Sequence, residues 1–186
     1  MTQYTIKAIP TTYNHVQFRS RLEARWAAFF DLCGWRWDYE PFDLDGWAPD
    51  FLIRTNVGPV LCEVKPNDIV TFMERQVERY ENSEKTEPWP FADYGKAIRH
   101  SAHRAVCLLG DAPLSLVSCM PIGFFDKTPA GATFTFDNLH DALTPSIDTE
   151  AAWRQAGNVV QWNAATDHPA EDYHAQLRRV FKRSAA

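Results

Sequence analysis

The chain has 186 residues, 45% hydrophobic and 13% aromatic, which is enough apolar material for one domain with its own core and too much for a disordered chain. No apolar run approaches the ~20 residues that span a bilayer, the first fifteen residues lack the charged and apolar regions of a secretory signal, and four separated cysteines with no CxxC pair argue against a zinc knuckle and suit a reduced, cytoplasmic setting. A formal net charge of -5 is awkward for a nucleic-acid binder, whose phosphate affinity comes mainly from Lys and Arg.

In chain order, Phe18, Leu22, Trp26, Phe29, Phe30 and Cys33 recur at helical spacing, which predicts a helix over 16–33 stopped by Gly34. Arg19, Arg21 and Arg25 gather on it as a local basic patch. Trp35, Trp37 and Tyr39 alternate with polar residues, so a first strand is expected there, ending at Pro41. A hairpin follows: strand-like residues 51–53, a turn over 55–58, and a second strand over 60–65. Asn67 or Asp68 can cap a helix running to about Tyr80, and 81–90 is a polar loop broken by Pro88 and Pro90. A short helix over 94–104 leads into the uninterrupted apolar run 105–109, as expected of a strand buried on both faces. Segments 114–120, 122–125 and 132–136 read as a small β-meander, and 151–162 and 169–182 as helices. With no internal repeat, one domain over 1–186 is the economical organisation.

The hairpin carries the chemistry. A turn centred between Asn56 and Val57 sets Asp50 directly across from Glu63. Such partners have Cβ atoms roughly 4.5–5.5 Å apart, and like charges there are destabilising. Lys65, two residues after Glu63, projects from the same strand face. Two acids and a lysine on one half-buried face are costly as structure alone. They make sense if a divalent cation bridges the acids while the lysine meets developing negative charge.

Pro49-Asp50, twelve intervening residues, then Glu63-Val64-Lys65 resembles the PD-(D/E)XK signature of the restriction-endonuclease-like nucleases. The expected element order over about 16–110, helix, three strands, helix, strand, is similar to that family's αβββαβ core: a mixed central sheet flanked by helices. The β-meander and last helices, about 111–186, would then be a C-terminal addition. The resemblance implies that Asp50 and Glu63 hold Mg²⁺ or Mn²⁺ and that Lys65 orients or activates the attacking water. The Val64 carbonyl suits an extra ligand position, since hard cations accept backbone oxygens. The string RLEARWA around Glu23 looks like the leading helix of a phage-associated branch, in which a helical glutamate completes the metal site. Glu23 is otherwise a solvated helix residue paired with Arg19 four positions earlier. Gln76 and Tyr80 resemble the QxxxY element of the RecB-like and lambda-exonuclease branch, which contacts the substrate end. Their spacing puts both on one helical face.

Other polar clusters are more ordinary. His100 and His103 with Arg99 and Arg104 read as a solvated helix face before a phosphate contact. His140, His168 and His174 lack partners at metal-ligand spacing, and the absence of GxSxG or a Gly-rich phosphate loop removes esterases and nucleotide hydrolases. Among the tryptophans, Trp26 and Trp37 fit a core, whereas Trp47 and Trp89 fall in loops where bases could stack. A second basic stretch, 174–183, carries Arg178, Arg179, Lys182 and Arg183 without an acid.

The resulting expectation is a metal-dependent deoxyribonuclease with Glu23, Asp50, Glu63 and Lys65 as the catalytic set. Glu23, Asp50, Glu63 and Val64 would bind the metal, and Arg19, Gln76 and Tyr80 the DNA. It would work in the cytoplasm, the host's if phage-encoded, with no membrane partner and with homodimer formation open. Two rivals stand beside it. One is a module of the same fold that binds nucleic acid or protein without cutting. The other is an accessory subunit of a phage or transposon recombination complex, whose partner supplies DNA affinity.

Overall fold

Five short segments rich in aromatic and β-branched residues pair into one mixed sheet in this computed structural model, which describes residues 8–117, 119–125 and 136–161. The first elements depart from expectation. Residues 16–18 belong not to a helix but to a separate hairpin of β1 (Thr11–Tyr13) and β2 (Val16–Phe18). Asn14 and His15 make its turn with φ of 46° and 65°, the left-handed pair that a tight two-residue hairpin needs. The helix α1 (Arg21–Leu32) begins only after Ser20. Ser20 accepts from the Glu23 N–H at 3.2 Å and donates to the Glu23 carboxylate at 2.8 Å. A serine cap with a glutamate three residues on fixes the helix start. Gly34, with φ of 71°, ends it as expected.

β3 (Arg36–Tyr39), β4 (Phe51–Thr55) and β5 (Gly58–Val64) follow as an antiparallel run. Asp68 then caps α2 (Ile69–Glu81) by accepting from the Thr71 N–H. After α3 (Gly95–His100), β6 (Val106–Leu109) lies parallel to β5, and β7 (Phe124–Phe125) closes the far edge antiparallel to β6. The last described helices are α4 (Phe136–Ala142) and α5 (Thr149–Val159).

The expected β-meander is corrected. Leu114–Leu116 is a 3-10 turn, because the Leu116 and Val117 N–H groups donate back to Pro113 and Leu114 rather than to a strand. Only Phe124–Phe125 of the second segment pairs, and Phe136 opens α4. Residues 132–135, the helix expected over 169–182 and the basic stretch 174–183 lie outside the described residues. No helix among the described residues is long and apolar enough to cross a membrane.

Alternation splits the sheet into two faces. Phe51, Ile53, Val60, Cys62, Cys107 and Leu109 pack with α1 and α5 in the main core. Trp26 and Phe29 of α1 meet Trp153 of α5 with ring centroids 4.8 and 5.6 Å apart. Leu52, Leu61, Val106 and Leu108 form a second core with Trp47, Tyr94 and Ala97 on the α3 side. Every residue of β6 is buried, as its unbroken apolar run predicts. The end of β6 is a junction. The Gly110 carbonyl accepts the buried Trp26 indole N–H at 2.9 Å, and the Asp111 N–H donates to Asn67 at 2.9 Å. A side chain at 110 has no room: its Cβ would sit 2.5 Å from the Asn67 carbonyl oxygen and 2.6 Å from Ile69.

Candidate active site

The hairpin register is the one expected from the turn. Phe51 pairs with Cys62, Ile53 with Val60 and Thr55 with Gly58. Pairing stops just before Asp50, where the backbone takes a new pattern. The Asp50 N–H donates to the Cys62 carbonyl at 3.0 Å, and the Val64 N–H donates to the Asp50 carboxylate at 2.7 Å. The carboxylate thus substitutes for a missing strand partner. A residue's N–H and C=O leave a strand on the same edge, so the Val64 carbonyl is directed toward the Asp50 side as well.

Asp50, Glu63 and Lys65 line one open cavity of about 780 Å³, together with Arg19, Glu23, Val64 and Trp47. Glu23 enters from the first turn of α1. The three acids are 8%, 3% and 7% exposed at Glu23, Asp50 and Glu63, which is unusual, since carboxylates are rarely buried without partners. Each has its partners. Glu63 accepts the Trp47 indole N–H at 2.6 Å and pairs with Lys65. Glu23 accepts the Tyr39 hydroxyl at 2.5 Å and the Ser20 hydroxyl. Asp50 pairs with Arg19, whose Nε also lies 2.9 Å from Glu40 and 3.9 Å from Glu23.

Burial, and then the charge of Glu63, push the Asp50 carboxyl up to about 7, against the Val64 N–H and Lys65, which favour its ionised form. Arg19, in direct contact with the carboxylate, favours its ionised form as well without reversing the rise. Burial also works against the charge of Arg19, yet Asp50, the Tyr39 hydroxyl, Glu40 and Glu23 outweigh it and hold the guanidinium firmly protonated. Tyr39 is driven well above the usual phenol range by burial and by its bond to Glu23. It therefore stays a donor.

The donor set suits a hard divalent cation: carboxylate oxygens plus a strand-edge carbonyl. It is not gathered as a ready cage. Among the described residues, no group of three or more His, Cys, Asp or Glu side chains is placed to hold a metal ion. Arg19 and Lys65 already pair with Asp50 and Glu63, so a cation would compete with them for these carboxylates; their side chains are 56% and 31% exposed.

Of the expected site residues, the structure brings together Arg19, Glu23, Asp50, Glu63, Val64 and Lys65. Gln76 and Tyr80 do not line this cavity. Gln76 is buried and accepts the Glu87 N–H at 2.8 Å, while Tyr80 is 80% exposed on α2. The first-helix basic patch is split: Arg19 turns to the acids, whereas Arg21 and Arg25 face α5. Trp47 is not a free stacking surface but a buried donor to Glu63, with its ring 5.3 Å from His100. Tyr39 and Trp47 are site residues that the motif does not mark. Their only trace in the sequence is an aromatic at a strand end and another three residues before Asp50. No family model, curated protein or solved structure matches this chain.

Proposed function

We propose that this chain is a metal-dependent nuclease that hydrolyses phosphodiester bonds in DNA, with the restriction-endonuclease-like αβββαβ core. One observation carries the reading: three buried carboxylates and a lysine line one cavity at the end of a hairpin, just beyond its last registered pair, Phe51 and Cys62. The order α1, three antiparallel strands, α2, then a strand parallel to β5 supports it. Asp50, Glu63 and Glu23, with the Val64 carbonyl, would hold Mg²⁺ or Mn²⁺. A cation there supplies Lewis-acid polarisation of the scissile phosphate and a more acidic water. Lys65, released from Glu63, donates to the phosphate oxygens or positions the water. Arg19, released from Asp50, has the reach and charge to meet an adjacent phosphate. Asp50 must give up its proton for a cation to bind, so Mn²⁺ affinity should rise as pH climbs toward about 7 and level off above it. Purified protein incubated with linear, nicked, circular and single-stranded DNA, in Mg²⁺, Mn²⁺ or EDTA, tests the proposal. Undiminished metal-dependent cleavage in both Asp50→Ala and Lys65→Ala refutes it.

One observation favours a second reading, a module of this fold that binds without cutting, alone or beside a partner protein. The protein's own donors and cations already contact all three acids. Titration calorimetry with Mn²⁺ separates the two, because an idle module lacks saturable binding that disappears in Asp50→Ala.

A further inference from the structure

A second cavity lies on the other side of α1. It has a volume of about 610 Å³, and its lining includes Arg21 and Arg25 of α1, with Arg154, Gly157 and Asn158 of α5 and the following Gln161. No acid lines it. Arg21 and Arg25 are one helical turn apart and share a face, whereas Glu23 projects from the other side, so this cavity is separate from the acidic one. Arg25 is held in place rather than loosely solvated. Its Nε and Nη2 donate to the Trp153 carbonyl at 3.1 and 2.8 Å, and its guanidinium carbon sits 3.9 Å from the Trp153 ring centroid. Gly157, one turn beyond Trp153, makes the space: a Cβ there would fall 3.1 Å from the guanidinium. Arg25 is half-buried, and its two donated bonds go to a neutral carbonyl. Burial and the adjacent charge of Arg21 both work against its cation, and Asp111 offsets them only in part. Arg154 meets Glu150 at 3.4 Å on the exposed side, a contact that solvent makes weak. One fixed guanidinium with two exposed ones beside it, flanked by amides, matches the oxygens of a multiply charged oxyanion.

We propose that this α1–α5 cavity is a phosphate-binding site, independent of the acidic centre. Arg25 is its preorganised base, Arg21 and Arg154 close over the ligand, and Asn158 and Gln161 supply neutral donors. The test is calorimetric titration of the full chain with inorganic phosphate and with pyrophosphate, in EDTA so that no metal bridges either anion to the carboxylates. Saturable one-site binding is expected, tighter for pyrophosphate. The Arg21→Ala/Arg154→Ala double variant removes only exposed side chains and should fold normally by circular dichroism. It should weaken binding roughly tenfold or more, the scale of charge-assisted hydrogen bonds. Gly157→Ala, which crowds Arg25, should weaken it too, while Asp50→Asn should leave it unchanged. Competition by a short single-stranded DNA would assign the site to backbone phosphates, and its absence to free phosphate compounds. No saturable binding of either anion, or binding equal in wild type and the double variant, overturns the proposal.

Discussion

The two cavities that flank α1 solve opposite electrostatic problems with opposite arrangements. In the acidic one the carboxylates are buried and the cations beside them reach in from solvent: Asp50 is 3% exposed, the Arg19 side chain 56%. In the basic one a half-buried arginine is fixed by a carbonyl and an indole ring, with two further arginines beside it and no acid among the described lining residues. Burial among other carboxylates, against a partner that reaches in from solvent, pushes the Asp50 carboxyl up to about 7. Guanidinium groups stay charged throughout the ordinary pH range. The first arrangement is suited to chemistry and the second to holding an anion.

The largest effect should come from the chemistry itself. Asp50→Ala or Lys65→Ala is expected to lower DNA cleavage by roughly 10²–10³-fold or more, the scale for a lost transition-state contact, as read in single-turnover gel assays. Next is the titration contrast. The folded pKa of Asp50 lies above its ordinary value of 3.8, so the stability tied to its proton is complete below that pH and is lost as pH rises through about 7. Asp50→Asn mimics the protonated form. Its stability advantage over wild type in urea unfolding should open across that window, toward roughly 4 kcal/mol at most. Variants of the arginine cavity should show a flat difference over the same range. An Asp50→Asn difference that is also flat would erase the contrast.

Trp47→Phe keeps the ring and removes the N–H that Glu63 accepts. It should cost about 1–3 kcal/mol in urea unfolding, the penalty for an under-satisfied buried acceptor. A negligible cost would mean that Glu63 is not held as the structure shows. Arg19→Gln sharpens the exchange argument: Mn²⁺ affinity by calorimetry should rise roughly fivefold, as expected for displacing a screened ion pair worth ~1 kcal/mol. Unchanged or weaker affinity would show that Arg19 does not compete with the metal. Smallest is Tyr80→Ala, which should leave stability within about 0.5 kcal/mol. Any effect should be confined to DNA affinity.

The hairpin was legible because its register follows from a turn of few residues, so Asp50 and Glu63 could be placed by counting. Burial of β6 was legible from its unbroken apolar run. The start of α1 was misjudged although the signal was present. Ser20 is a helix-capping residue with Glu23 three positions on, and Asn14-His15 suits a turn, but Phe18 fits a helical period and a strand equally well. It is buried either way, with its ring 4.5 Å from Tyr39 and 6.1 Å from Phe51. The roles of Tyr39 and Trp47 were not legible. Each depends on a side-chain tip crossing from another segment to an acid, which no local period encodes. The split of Arg19 from Arg21 and Arg25 likewise depends on where α5 packs, and no spacing within α1 reports that. Gln76 and Tyr80 do share a helix, but α2 carries them away from the acids.

Gly110 gives the acidic centre a dependence on a position that bears no functional group. The backbone atoms at 110 and 111 tie α1, through Trp26, to the bend at Asn67 just past Lys65. One methyl group at that junction would push the Asn67 bend and Ile69 aside and retune the angle at which the lysine leaves β5. A Gly110→Ala lesion would thus blunt the proposed cleavage through the scaffold while every reactive group remained in the chain.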